Sequence, residues 1–210
     1  MRRRENTMIN HDKKYIHIPI PKTASQSIVH GLGSKVIHEP ALYHNTLEHF
    51  ISEDYLQNTE YYSFSFVRNP WDRLASLWRD FTTKRGHQYS GHHRCDTPLL
   101  SEFDNFEDMC LHLSDSLWSQ NLFFRPQAYF LSYAGKIGAH FVGRFENLQE
   151  GYNTVCAEIN IAPIKLPLIN QTVGPQPEAS SHYQGSYSDK SANAVAEFYK
   201  LDIETFGYEF

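Results

Sequence analysis

The sequence predicts an α/β protein, a central parallel sheet flanked by helices. Three observations lead there. Residues 14–20 place Ile16, Ile18 and Ile20 at alternate positions, the two-residue period of a strand. Residues 61–67 (Tyr-Tyr-Ser-Phe-Ser-Phe-Val) are rich in aromatic and β-branched side chains, the composition of a buried strand. Residues 70–84 and 147–160 carry apolar side chains at helical spacing. Strands that alternate with helices build parallel sheets, because a parallel return needs a crossover long enough to be a helix.

The 210 residues favour one domain spanning 1–210, with 1–12 flexible. A chain of this length buries about 70% of its extended surface without staples. At 40% hydrophobic, 14% aromatic and 20% charged, it is not globally disordered. A net charge of -5 excludes a broad nucleic-acid surface but leaves room for a small basic pocket. Cys95, Cys110 and Cys156 are widely spaced and form no CxxC, which fits a reducing compartment without disulfides. No apolar run approaches the ~20 residues of a membrane helix. The basic start, Met1 to Arg4, is not followed by the apolar stretch of a secretory signal. A cytoplasmic protein of bacterial or viral origin is the expectation.

Along the chain, Pro19 cannot donate to a sheet ladder, so the first strand ends near it. A short helix follows over 25–32. After the second strand, Asn69 is a good N-cap and Pro70 suits the first helical position. That helix runs to about Lys84 with Leu74, Leu77, Trp78 and Phe81 on one face. Residues 85–98 read as a loop, and 104–123 as a helix broken near Asp115. A strand is expected from His140 to Phe145. The next helix, 147–160, aligns Leu148, Tyr152, Val155 and Ile159. Pro163, Pro167, Pro175 and Pro177 make 161–187 loop-rich, and a last helix over 188–200 starts at Ser188.

Two segments carry chemistry. The first is Pro21-Lys22-Thr23-Ala24-Ser25-Gln26-Ser27, between strand and helix. Backbone N–H groups and a helix start converge there, an arrangement that receives anions. Lys22 adds positive charge, Thr23, Ser25 and Ser27 add hydroxyls, and Ala24 permits close approach. It is not a Walker A loop, because Lys22 leads the segment and no glycine lies between 21 and 30. Taken alone, it fits a polar turn with a solvated Lys22 equally well. The second segment is Phe66-Val67-Arg68-Asn69-Pro70-Trp71-Asp72-Arg73-Leu74-Ala75-Ser76. Arg68 stands at a strand's carboxyl end, where α/β sheets bind ligands, and its fork suits a phosphate. Ser76 follows about two helical turns into the helix, sharing a face with Asp72 and Arg79. Each has a plain alternative: an Arg68–Asp72 ion pair capping the helix, and an ordinary surface serine.

Together these segments resemble the sulfotransferase superfamily that uses 3′-phosphoadenosine 5′-phosphosulfate (PAPS). Pro21 to Ser25 is similar to the 5′-phosphosulfate loop of the uronosyl 2-O-sulfotransferase branch. Phe66 to Leu74 resembles the 3′-phosphate motif of the carbohydrate sulfotransferases. Gly143-Arg144-Phe145-Glu146-Asn147-Leu148 and Asp202-Ile203-Glu204-Thr205-Phe206-Gly207-Tyr208 resemble two further family blocks, in family order. Many relatives carry Gly-Thr or Ser-Thr where this chain has Ser25-Gln26. The His17-Ile18-Pro19 segment sits two residues earlier than the family's His-Ile-Pro-Lys.

The resemblance implies a P-loop-NTPase-like domain and transfer of a sulfuryl group from PAPS to a hydroxyl, most simply on a carbohydrate. The product nucleotide is 3′-phosphoadenosine 5′-phosphate (PAP), and no metal is required. It implies that Lys22, Thr23, Ala24, Ser25, Gln26 and Ser27 hold the 5′-phosphosulfate, with Lys22 also at the leaving oxygen, and that Arg68 and Ser76 hold the 3′-phosphate.

A base should take the acceptor's proton, and histidine is the commonest near neutral pH. His44 matches a family His-x-Thr pattern, with His49, His38 and Glu48 as rivals. Equally, His44 fits the cap of a helix beginning near Asn45. Arg125 and Gln127 fall in a segment resembling one near the acceptor cleft, and an exposed structural role fits Arg125 as well. Asn170-Gln171-Thr172 lies where relatives close a loop over the donor. His92, His93 and Cys95 form no metal pattern with a second cluster. The competing readings are a sulfotransferase for small molecules, lipids or tyrosine, a small Mg²⁺-dependent kinase, and a non-catalytic nucleotide-binding relative.

Overall fold

The computed structural model describes residues 8–33, 45–52, 61–82, 99–167, 169 and 183–210. These group into two compact units: the described residues up to Val67 with those from Tyr129 to Ile169, and Arg68 to Ala128 with the described residues up to Phe210.

The first unit holds a four-stranded sheet in the order β1 (Ile9–Asn10), β2 (Tyr15–His17), β3 (Tyr62–Val67) and β6 (Phe141–Arg144). β2 and β6 both run parallel to β3, with Ile16 opposite Ser63 and Val67 opposite Arg144. The expected parallel sheet is therefore present, with one antiparallel edge. β1 turns back through residues 11–14 and pairs Ile9 with Ile16. Asn10 shapes that turn by accepting the Lys13 N–H at 2.8 Å.

β2 ends earlier than the isoleucine period predicts. The Ile18 N–H still donates to the Phe64 carbonyl at 2.8 Å. Pro19 then has no N–H to offer, and the ladder stops. Ile18 and Ile20 stay fully buried even so. The helices α1 (Ser25–Gly31) and α7 (Leu148–Glu158) lie on this sheet. Ile28, Tyr152, Val155 and Cys156 fill the space against Tyr15, Phe64 and Phe66. Gly143 in β6 is required by close approach, since a Cβ there would meet the Phe66 ring at 2.5 Å.

Sequence patterning did not indicate the small hairpin β4 (Ser132–Tyr133) and β5 (Lys136–Ile137). Its turn residues Ala134 and Gly135 both have positive φ, 49° and 76°, the type I′ pattern that matches strand twist. The short helix α2 (Leu47–Ser52) packs beside β4.

The second unit is helical. It contains α3 (Pro70–Thr82), α4 (Leu99–Glu102), α5 (Phe106–His112), the start of α6 (Gln127–Leu131), α8 (Asp189–Phe198) and α9 (Lys200–Phe206). Trp71, Leu74, Leu77 and Phe81 from α3 pack with Met109, Trp118, Phe124, Val195 and Tyr199. The local signals act as expected at two starts. Asn69 Oδ1 accepts the Trp71 N–H at 3.1 Å. Ser188 and Ser191 exchange side-chain and backbone bonds in a capping box.

The break near Asp115 is wider than expected. α5 gives way to 3-10 turns at Leu113–Asp115 and Leu117–Gln120. The Ser116 and Ser119 hydroxyls donate to the carbonyls of Leu113 and Ser116 and compete with the helical ladder there. α9, absent from the expected elements, follows α8 after Tyr199. The expected loop at 85–98, with His92, His93 and Cys95, lies outside the described residues. Among the described residues, no helix is long and apolar enough to cross a membrane.

Candidate functional site

The first segment leaves the sheet at the carboxyl end of β2 and becomes α1. Its backbone is unusual. Lys22 and Ala24 have φ of 69° and 62°, while Thr23 and Ser25 keep negative φ. φ therefore alternates in sign over 22–25. Such alternation turns successive N–H groups into one concavity, the nest geometry that binds phosphates. Neither Lys22 nor Ala24 is a glycine, so the shape is held against a cost of roughly 1–2 kcal/mol per residue.

Side chains supply part of that hold. Thr23 Oγ1 and Ser25 Oγ both donate to the Ile20 carbonyl, at 3.0 and 3.1 Å. These hydroxyls were expected as anion donors. In the structure they strap the loop to the strand end. Ser27 is buried, and its Oγ accepts the Ile169 N–H at 3.4 Å. Ala24 caps α1 and makes no side-chain cap bond.

The second segment begins where β3 ends. Arg68 Nε donates to Asp72 Oδ2 at 2.7 Å, and only 12% of the arginine side chain is exposed. The ion pair that the spacing allowed is therefore formed, and it fixes the direction of the guanidinium. Ser76 is 5% exposed and is not the ordinary surface serine that its spacing also permitted.

Gln127, expected near an acceptor, is fully buried. Its Oε1 accepts the Arg68 N–H and its Nε2 donates to the Arg68 carbonyl, both at 2.8 Å. Its amide thus bonds both peptide groups of Arg68. Arg125 is half-buried, and its Nη2 donates to Gln120 Oε1 at 2.7 Å.

Two residues that sequence reasoning did not single out support this region. Arg73 is buried, and its Nη2 donates to the carbonyls of Phe123 and Arg125 at 2.8 and 2.9 Å. The Asp202 carboxylate accepts the N–H groups of Gln127 and Ala128 at 2.7 and 2.8 Å and caps α6. Burial pushes the Asp202 carboxyl up, while Arg73 and those N–H groups pull it back. The only signal for Asp202 in the sequence was its place in the block ending at Tyr208.

Among the rivals for the base, Glu48 and His49 are exposed on α2, and the His49 N–H donates to Thr46 Oγ1 at 3.3 Å. His44 and His38 lie outside the described residues, as do Gln171 and Thr172 and the placement of Asn170.

Comparison with known proteins agrees with these motifs. Carbohydrate sulfotransferase 11 from Rattus norvegicus and that from Mus musculus are each 25% identical over 166 residues, covering 70% of this chain and 47% of their own length. The chain thus spans about half the length of the curated relatives it matches. No solved structure matches it. The model of the sulfotransferase family matches residues 5–209, taking in the turn at Lys22, the strand end at Arg68 and the Asp202 segment, and the chain belongs to that family.

Proposed function

We propose that the chain transfers a sulfuryl group from PAPS to a hydroxyl on a carbohydrate, as a single P-loop-NTPase-like domain over residues 1–210. The alternating backbone at Lys22 to Ser25 carries this reading. It offers N–H groups to a phosphate-like anion without the glycines of a Walker A loop. Two features support it: the left-handed backbone at Lys22 and Ala24, and an Arg68 guanidinium held by Asp72.

Bound PAPS supplies an activated sulfuryl group on a phosphate leaving group. The chain's residues do the rest. The 22–27 segment would hold the 5′-phosphosulfate and exclude water from it. Lys22 would meet the charge that grows on the departing phosphate, where a fixed donor counts most. Arg68 and Ser76 would bind the 3′-phosphate. His44 would take the proton from the acceptor hydroxyl as its oxygen attacks sulfur. The carbohydrate acceptor follows from the names of the relatives, and no metal is assigned a role.

Calorimetry with PAP, 5′-AMP and ATP, in EDTA and in Mg²⁺, tests the donor assignment. PAP should bind most tightly and without metal. ATP binding that requires Mg²⁺, with none for PAP at millimolar levels, would replace this reading with a kinase. Transfer of radiolabelled sulfate to glycans, phenols and lipids then separates the acceptor classes.

A further inference from the structure

We propose that Gln127 is a positioning residue for Arg68 and sets the chain's preference for a 3′-phosphorylated nucleotide. The inference rests on the donor reading above and extends it to a residue that does not touch the ligand.

Arg68 is the first residue past the last ladder position of β3, Val67. At that point a strand loses the neighbour that satisfies its peptide groups. Gln127 takes the neighbour's place. Its amide accepts the Arg68 N–H and donates to the Arg68 carbonyl, the two bonds that a paired residue exchanges in a ladder. Gln127 is itself anchored, because Asp202 accepts its N–H and that of Ala128. Asp72 meanwhile holds Arg68 Nε. Arg68 is thus fixed at its peptide by Gln127 and at its guanidinium by Asp72.

A planar fork binds phosphate well only if it is already aimed, since otherwise its rotamer freedom is lost on binding. Removing the Gln127 amide deletes both of these bonds and lets the Arg68 backbone rotate. That rotation moves the guanidinium, while the loop at 22–27 keeps its own shape.

The test titrates the full chain and its Gln127→Met and Gln127→Asn variants with PAP and with 5′-AMP, by calorimetry. Methionine keeps the volume and removes both bonds; asparagine stays polar but is too short to make both, and serves if Gln127→Met does not fold. The expected result is a PAP-to-AMP affinity ratio about tenfold or more below that of the unaltered chain, with 5′-AMP affinity within about threefold. A merely structural loss lowers both affinities alike and leaves the ratio unmoved. Such an unmoved ratio overturns the positioning role and spares the donor reading. An unaltered chain with no preference for PAP overturns the donor reading itself. Amide exchange gives an independent check: the Arg68 N–H should be protected in the unaltered chain, and exchange at the rate of an open loop overturns the inference.

Discussion

Ala24 tests whether the shape of the 22–25 turn is what binds. It holds φ 62° and ψ 25°, where an L side chain costs roughly 1–2 kcal/mol. Glycine avoids that cost but gives the unfolded chain extra freedom of roughly 0.5–1 kcal/mol. The difference predicts that Ala24→Gly stabilises by about 0.5–1 kcal/mol, a Tm rise of about 1–4 °C at this chain length. Ala24→Val works the other way. A β-branched residue resists this region, so the variant either bears about 1–3 kcal/mol of strain or relaxes to negative φ. Relaxation ends the sign alternation and turns an N–H away from the concavity. Thermal melts and PAP titrations on the same samples read both effects. Ala24→Gly should bind PAP within about threefold of the unaltered chain, and Ala24→Val about tenfold or more weakly. An Ala24→Val variant that melts with the unaltered chain and binds PAP as tightly would refute the nest as the anion site.

Three other outcomes follow from the same structure. Lys22→Ala should lower sulfate transfer by about 10²–10³ while changing PAP affinity far less, because its charge matters most as the leaving group departs; equal losses in rate and affinity would place the ammonium in ground-state binding. Gly143→Ala should destabilise by about 1–3 kcal/mol in urea melts. The new Cβ meets the Phe66 ring at 2.5 and 2.7 Å, and a Cβ on Gly151 would meet that ring at 2.7 Å, so the ring has little room to retreat. Adding Phe66→Leu should recover at least about 0.5 kcal/mol of that loss, and strict additivity would contradict the packing. Burial, reinforced by Glu107, pushes the Cys110 thiol up to about 12. It therefore stays protonated through neutral and mildly alkaline pH. Site-resolved mass spectrometry should find Cys110 unmodified by iodoacetamide at about pH 8 in the folded chain and modified after denaturation.

The cysteine and glycine cases also show where sequence patterning stops. Cys110 lies on a helix whose period says that one face is buried, but not that Glu107 adds to the shift of its thiol. Gly143 stands in a strand by composition, yet only the register opposite Phe66 shows why a side chain is excluded there. The hydroxyls of Thr23 and Ser25 were legible as polar groups beside an anion loop. Their common acceptor, the Ile20 carbonyl, depends on backbone angles that residue types do not specify.

What the sequence alone determined was local or written in residue order. The strands around Ile16 and Phe64, the caps at Asn69 and Ser188 and the apolar face of α3 are each marked by residue types within a few positions, so pattern suffices to find them. The two segments at Lys22 and Arg68 and the family they mark were legible for the same reason, as short runs of defined residues. Tertiary structure alone decided the antiparallel edge of the sheet, the left-handed turn at Lys22 and Ala24, and the clamp of Gln127 and Asp202 behind Arg68. The clamp pairs groups 59 and 75 residues apart, while the edge and the turn rest on backbone angles; a residue's type limits which bonds it can make without naming the partner or the angle that the fold imposes.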